Sequence, residues 1–149
     1  MSYRDSVCVV IRQPGTDRVL VCHRAGYPSA QGWQFPQGGR DPEKGLLDEA
    51  RRELREEIGT DAVEFVATAP GDYTYDFPEK ARTSRPRYRG QRQRWVLAEF
   101  RGSEADISFS HEPAEFDRWE WVEPPEAFAR VVDFKKDVYR DALKELGLL

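Results

Sequence analysis

The sequence predicts an α/β sandwich, as one domain spanning residues 1–149. Three observations carry this prediction. Short apolar runs suited to strands recur along the chain, a helical stripe of apolar positions occupies the centre, and a second helical spacing occupies the C-terminal end. In chain order, Val7–Ile11 and Arg18–His23 read as strands flanking the turn Pro14-Gly15-Thr16-Asp17, which predicts a hairpin. Residues 24–46 are rich in Gly, Pro and Gln without a period and read as an ordered loop. Leu47, Ala50, Leu54 and Ile58 share one face of a helix that Gly59 ends. Val63–Thr68 follows as a strand. Gly71–Arg94, polar, aromatic and basic, reads as strands with a protruding loop. Trp95–Phe100 and Trp119–Val122 read as further strands, and Ala127–Val132 and Phe134–Leu146 as helices, with Gly147 as a stop.

Composition narrows the functional classes. Charged residues reach 34%, above the ordinary ~25%, yet four tryptophans, six tyrosines and eight phenylalanines argue against a disordered chain. Two cysteines, Cys8 and Cys22, are too few for a disulfide framework or a Cys-rich zinc site, and both lie in apolar runs as core thiols. No run approaches the ~18 consecutive apolar residues of a membrane span, and MSYRDSVCVV lacks a basic-then-apolar leader. The expectation is a cytoplasmic protein with no membrane partner. A net charge of −4 argues against nonspecific coating of nucleic acid, but it hides a local concentration. Between Lys80 and Arg94 lie seven basic residues and no acidic one. That run could contact phosphates, or it could be a solvated loop or an oligomer contact.

The informative stretch is GGRDPEKGLLDEARRELREEIGT, Gly38 to Thr60. Glu53, Glu56 and Glu57 lie three and four residues apart on one helix and therefore share a face. Like charges at that spacing repel by roughly 0.2–0.5 kcal/mol per pair in an isolated helix. A divalent cation would neutralise them, and hard carboxylate oxygens suit Mg²⁺, with Mn²⁺ as an alternative. A solvated acidic face is the competing interpretation of a bare E-x-x-E-E. The glycine loop before it and Arg52 within it shift the balance toward a site.

The segment resembles the Nudix box, G-x5-E-x7-R-E-U-x-E-E-x-G-U with U aliphatic, at Gly38, Arg52, Glu53, Leu54, Glu56, Glu57 and Gly59. Thr60 stands in the last aliphatic slot and Lys44 in the slot of the first glutamate. In the family that glutamate pairs with the box arginine. Lys44 cannot, which leaves Glu43 or Glu49 as partners for Arg52. The resemblance implies an α/β/α sandwich with a mixed central sheet, a loop–helix–loop catalytic motif, and metal-assisted hydrolysis of phosphoanhydrides.

Outside the box the chain resembles bacterial RNA 5′-pyrophosphohydrolases and their dinucleoside-polyphosphate-hydrolase relatives. The matching blocks are Trp33–Gly39, Gly90–Trp95, Glu115-Phe116-Asp117 with Trp119 and Trp121, and Val131-Val132 with Phe134–Tyr139; the stretch Gly26–Gln31 departs. This resemblance implies metal ligation by Glu53, Glu56, Glu57, Glu115 and the Gly38 carbonyl region. It implies that Arg52, Glu53, Glu57 and Glu115 serve the reaction, with the general base open between Glu57, Glu53 and Glu115. Arg4, Arg24, Phe134 and Lys135 would contact substrate, Phe134 by stacking and Lys135 through phosphate. Trp33 is expected beneath the catalytic loop. The implied substrate is 5′-triphosphate RNA, converted to the 5′-monophosphate and so primed for decay. Dinucleoside polyphosphates such as Ap4A are the alternative, and an inactive RNA or nucleotide sensor is an alternative of another class. The assembly would be a monomer or homodimer.

Overall fold

The computed structural model describes residues 2–80, 87–110 and 113–149. Eight strands form one mixed sheet: β1 (Ser2–Arg12), β2 (Val19–Arg24), β3 (Trp33–Gln34), β4 (Gln37–Gly39), β5 (Val63–Thr68), β6 (Tyr73–Asp76), β7 (Tyr88–Phe100) and β8 (Phe116–Val122). Among the described residues they are accompanied by helices α1 (Leu46–Ile58), α2 (Pro124–Arg130) and α3 (Lys136–Glu145), the last preceded by a 3₁₀ turn at Asp133–Lys135.

The period-two pattern of β1 organises the layers. Val7, Val9 and Ile11 face α1, where they pack with Ala50, Leu54, Ile58 and Phe116. Cys8 and Val10 face the other way, toward Val138, Tyr139, Ala142 and Leu143 of α3 and toward Phe35 and Trp95. Helices therefore cover both faces of the sheet, as an α/β/α sandwich requires. Cys8 and Cys22 are buried, free thiols on opposite faces, and burial pushes both far above the usual thiol range.

The predicted hairpin forms, closed by Gln13 N–H to the Arg18 carbonyl at 2.8 Å, but β1 and β2 pair only at Arg12↔Val19. Over Ser6–Cys8 the edge of β1 facing β2 belongs instead to β4, antiparallel to it. The other edge of β1 pairs in parallel with β7 from Ser2 to Arg12, the longest ladder in the molecule. Residues 24–46, expected as loop, thus contain β3 and β4. Both are too short for a period, and both are stitched to distant strands, β3 to β2 and β4 to β1.

Other boundaries move for local reasons. Helix α1 begins at Leu46, which packs on the core, whereas Leu47 is exposed and drops out of the expected stripe. Positions 46, 50, 54 and 58 hold a strict four-residue spacing that Leu47 breaks. Gly59 ends α1 with φ 76°, the left-handed backbone that glycine adopts without steric cost. Strand β7 runs through Gly90–Arg94 without interruption, so the expected Trp95–Phe100 strand is only its second half. Of the predicted C-terminal helices, the first ends at Arg130, and the second starts as the 3₁₀ turn before α3. No helix among the described residues is long and apolar enough to cross a membrane.

Candidate functional site

A cavity of about 820 Å³ opens beside α1, lined by Arg4, Arg24, Tyr27, Gly38, Gly39, Glu53, Glu56, Glu57, Tyr75, Phe77, Lys80, Glu115, Phe134 and Lys135, among others. Of the residues expected to ligate metal, serve the reaction or contact substrate, only Arg52 is absent from its wall. The carboxylates reach it because α1 turns its Leu54 face into the sheet and leaves Glu53, Glu56 and Glu57 on the flank toward β4. Gly38 pairs with Val7 on β1, and a side chain there would collide with the Glu53 carboxylate. Glycine is required here by close approach rather than by backbone angle.

Arg52 stands behind the cavity as a hub. Its Nη1 donates to Glu53 Oε1 at 3.1 Å and to Glu56 Oε2 at 3.2 Å, its Nη2 to the Gly39 carbonyl at 2.8 Å, and its Nε to Glu49 Oε2 at 2.9 Å. Of the two partners left open by the sequence, Glu49 is the one it engages. Glu43, exposed, offers only its backbone N–H, to Asp41.

The electrostatics of the flank are unfavourable for anions. Burial raises the Glu53 carboxyl, with Arg52 opposing. Glu57 is pushed up to about 8, first by burial and then by the charges of Glu115, Glu53 and Glu56, with Arg24 opposing. Glu115 is thereby close enough to Glu57 to repel it, and its Oε1 lies 3.8 Å from Arg24 Nη2. Glu57 Oε2 is buried with no hydrogen-bond partner. Among the described residues no three acidic, His or Cys side chains already enclose an ion; Glu53 and Glu56 are turned to Arg52. The donor set nevertheless fits a hard divalent cation, because three carboxylates share one flank and one of their oxygens is buried without a partner.

The rest of the lining includes cationic and aromatic side chains. Lys135 is buried, 5% exposed, with Nζ 5.6 Å from the Tyr75 ring centre and 5.9 Å from that of Phe134. Its Nζ donates to Gln34 Oε1 at 3.3 Å. Phe134 packs on the core cluster and also lines the cavity. Arg4 reaches over Gly39 toward Glu53. Arg24 lies over the Tyr27 ring at 5.4 Å.

One expectation is corrected. Trp33 packs under the 25–32 segment rather than the loop before α1: its Nε1 donates to the Ser29 carbonyl, and its ring meets His23, Arg118 and Arg130. In the basic run, Arg89 pairs with Asp76, Arg92 with Asp5 and Arg94 with Asp72 across neighbouring strands; among its described members only Lys80 lines the cavity. Arg82 and Arg85 lie outside the described residues. Reasoning from sequence missed Tyr27, Tyr75 and Phe77, which come from two places in the chain, the segment after β2 and the end of β6. It also missed Gln91, although the alternation of Gln91 and Gln93 with Arg92 and Arg94 in a strand signals buried polar positions facing a site.

Known proteins resemble this chain in sequence and in fold. The curated RNA pyrophosphohydrolase of Erythrobacter litoralis is 42% identical over 136 residues, covering 88% of this chain and 83% of that protein. The RNA pyrophosphohydrolase of Gluconacetobacter diazotrophicus is 39% identical, covering 87% of this chain and 83% of that protein. Among solved structures, the E. coli dihydroneopterin triphosphate pyrophosphohydrolase superposes with a TM-score of 0.73 at 20% identity, covering 97% of this chain and 99% of that one. A C. elegans Ap4A hydrolase superposes at 0.62 and 20% identity over 95% of this chain and 98% of that one. At such identities the structural likeness shows a shared fold. A family model described as NUDIX domain matches residues 2–142, nearly the full extent of the sandwich and its acidic helix, and the chain belongs to that family.

Proposed function

We propose that this protein is an RNA 5′-pyrophosphohydrolase that removes phosphate from 5′-triphosphate RNA ends and leaves a 5′-monophosphate, with residues 1–149 acting as one catalytic domain. The observation that carries the proposal is the single cavity lined by an acidic helix flank and by cationic and aromatic side chains. Through a divalent cation the first can meet a polyphosphate, and the second supplies cations for its phosphates and a ring for a terminal base. The RNA pyrophosphohydrolases at 39–42% identity support the same substrate class.

In this reading Glu53, Glu56 and Glu57 hold a divalent cation, Mg²⁺ or Mn²⁺, with Glu115 and the Gly38 carbonyl beside it. When bound, such a cation supplies charge neutralisation at the anhydride oxygens and acidifies a water molecule. The chain's own residues do the rest. Arg4, Arg24 and Lys135 offset the charge of the polyphosphate, and Phe134 stacks on a base. Glu57 or Glu53 takes the proton of the attacking water, Glu115 being the third carboxylate within the group. Arg52 acts from behind, orienting Glu53 and Glu56 rather than touching substrate. No covalent intermediate is required, since positioning and electrostatics suffice.

The test is a direct competition. Purified protein with Mg²⁺ receives equal concentrations of triphosphate-ended RNA and Ap4A, and initial rates and products are compared. Faster conversion of RNA supports the proposal. Preferential cleavage of Ap4A contradicts the substrate assignment, and no turnover of either contradicts the enzyme assignment.

A further inference from the structure

We infer that Glu49 is the positioning residue that locks the loop of residues 39–41 onto α1 and, through Arg52, aims Glu53 and Glu56. Its carboxylate is buried, 4% exposed, at the first turn of a helix whose N-terminal Gly45 offers no side-chain cap. Its two oxygens are divided between loop and helix. Oε1 accepts the Asp41 backbone N–H at 2.6 Å and Arg52 Nη2 at 3.2 Å, while Oε2 accepts Arg52 Nε at 2.9 Å. Arg52 closes the circuit by donating to the Gly39 carbonyl at 2.8 Å. The loop is therefore gripped at Gly39 and Asp41 by one carboxylate–guanidinium pair. The remaining Nη1 of the same guanidinium reaches Glu53 and Glu56.

The grip explains how the chain accommodates Lys44. A lysine at that position supplies no acceptor for Arg52, and the acceptor is supplied five residues later, from within the helix. Lys44 fits the arrangement in charge as well, for Lys44 and Arg52 both act on Glu49 to favour its anionic form. A bidentate carboxylate–arginine pair also fixes orientation, which a single contact does not. Displacement of about 1 Å at such a support costs on the order of a hundredfold in rate.

This inference rests on the proposed hydrolase reading, because Glu49 acts only through Arg52 on the carboxylates that reading uses. The experiment therefore has one readout independent of turnover. Hydrogen exchange at the Asp41 amide, kcat and KM are measured for wild type, Glu49→Gln, Glu49→Ala and the double variant Glu49→Ala/Lys44→Glu, with thermal melting confirming that each is folded. The expected result for Glu49→Ala is a fall in kcat of about a hundredfold with KM within about threefold, and at least ~10-fold faster exchange at Asp41. Glu49→Gln, which keeps an oxygen for Asp41 but loses the charge, falls between wild type and Glu49→Ala in both readouts. The double variant returns a carboxylate to the same junction and recovers at least ~10-fold in kcat. Wild-type kcat in Glu49→Ala, unchanged Asp41 exchange, or no recovery in the folded double variant each overturns the inference. If wild type itself fails to hydrolyse RNA ends, the functional reading fails, while exchange at Asp41 still decides whether Glu49 holds the loop.

Discussion

At the scale of single residues, Glu57 is held far from the usual carboxylate range by burial and by neighbouring acids. Its carboxyl is raised to about 8 in the folded chain without cation, against 4.5 as its ordinary value. The folded state then holds a proton that the unfolded chain releases as pH rises above ~4.5. Stability from this group is present below that pH and lost as pH rises through about 8. Glu49 has the opposite sign: Arg52 and the Asp41 N–H hold it down at about 2, so its contribution is present above ~4.5 and lost as pH falls toward 2. Cation-free protein should therefore melt at lower temperature as pH goes from 5 to 8, and Glu57→Gln should flatten that slope. A cation displaces the Glu57 proton, so Mn²⁺ affinity measured by calorimetry should climb over the same interval with proton release in proportion. Glu57→Gln should also lower kcat at least ~10²-fold, measured on triphosphate-ended RNA at saturating substrate. Phe134→Ala should act on binding instead, raising KM roughly tenfold, since loss of base stacking costs ~1–3 kcal/mol.

At the scale of elements, α1 supports both fold and site. Leu54 is fully buried between the helix and β1, and Leu54→Ala should cost about 2–5 kcal/mol by denaturant unfolding. Gly38→Ala should separate the two functions of the region. Its added methyl meets the end of the Glu53 side chain and not backbone, so stability should change little while Mn²⁺ affinity and turnover both fall.

These elements also show what a single sequence discloses. The carboxylate face was legible because helical spacing alone sets which residues share a side, and the box pattern repeats at fixed positions. The partnership of β1 with β7 was not, because parallel pairing joins residues such as Tyr3 and Gly90 with no local signal between them. Strands β3 and β4 were hidden for a related reason: two or three residues carry no period, and tertiary pairing alone makes them strands. Leu46 and Leu47 are adjacent and identical, so only packing decides which one belongs to the stripe. Arg52 was legible as a box residue, whereas its choice of Glu49 over Glu43 depends on how the loop folds back over α1. The period-two spacing of Tyr75 and Phe77 puts them on one side of β6, but no spacing shows that Tyr27 joins them at the cavity.

At the scale of the whole molecule, two apolar clusters on opposite faces of the sheet stabilise the fold without help from an ion. Chelation should consequently abolish turnover while leaving the far-ultraviolet circular dichroism spectrum intact, and added Mg²⁺ should restore activity. The chain's net charge of −4 conceals a local arrangement: most described arginines of the basic run pair with acidic neighbours, and Arg4, Arg24, Lys80 and Lys135 line the cavity. The central claim is that this cavity hydrolyses RNA 5′ ends through its acidic flank. The most direct test is the initial rate of 5′-monophosphate formation from triphosphate-ended RNA against Ap4A cleavage at equal concentration, for wild type and Glu57→Gln side by side. The account predicts faster RNA conversion by wild type and at least ~10²-fold loss in the variant. Equal RNA turnover by wild type and Glu57→Gln would contradict it.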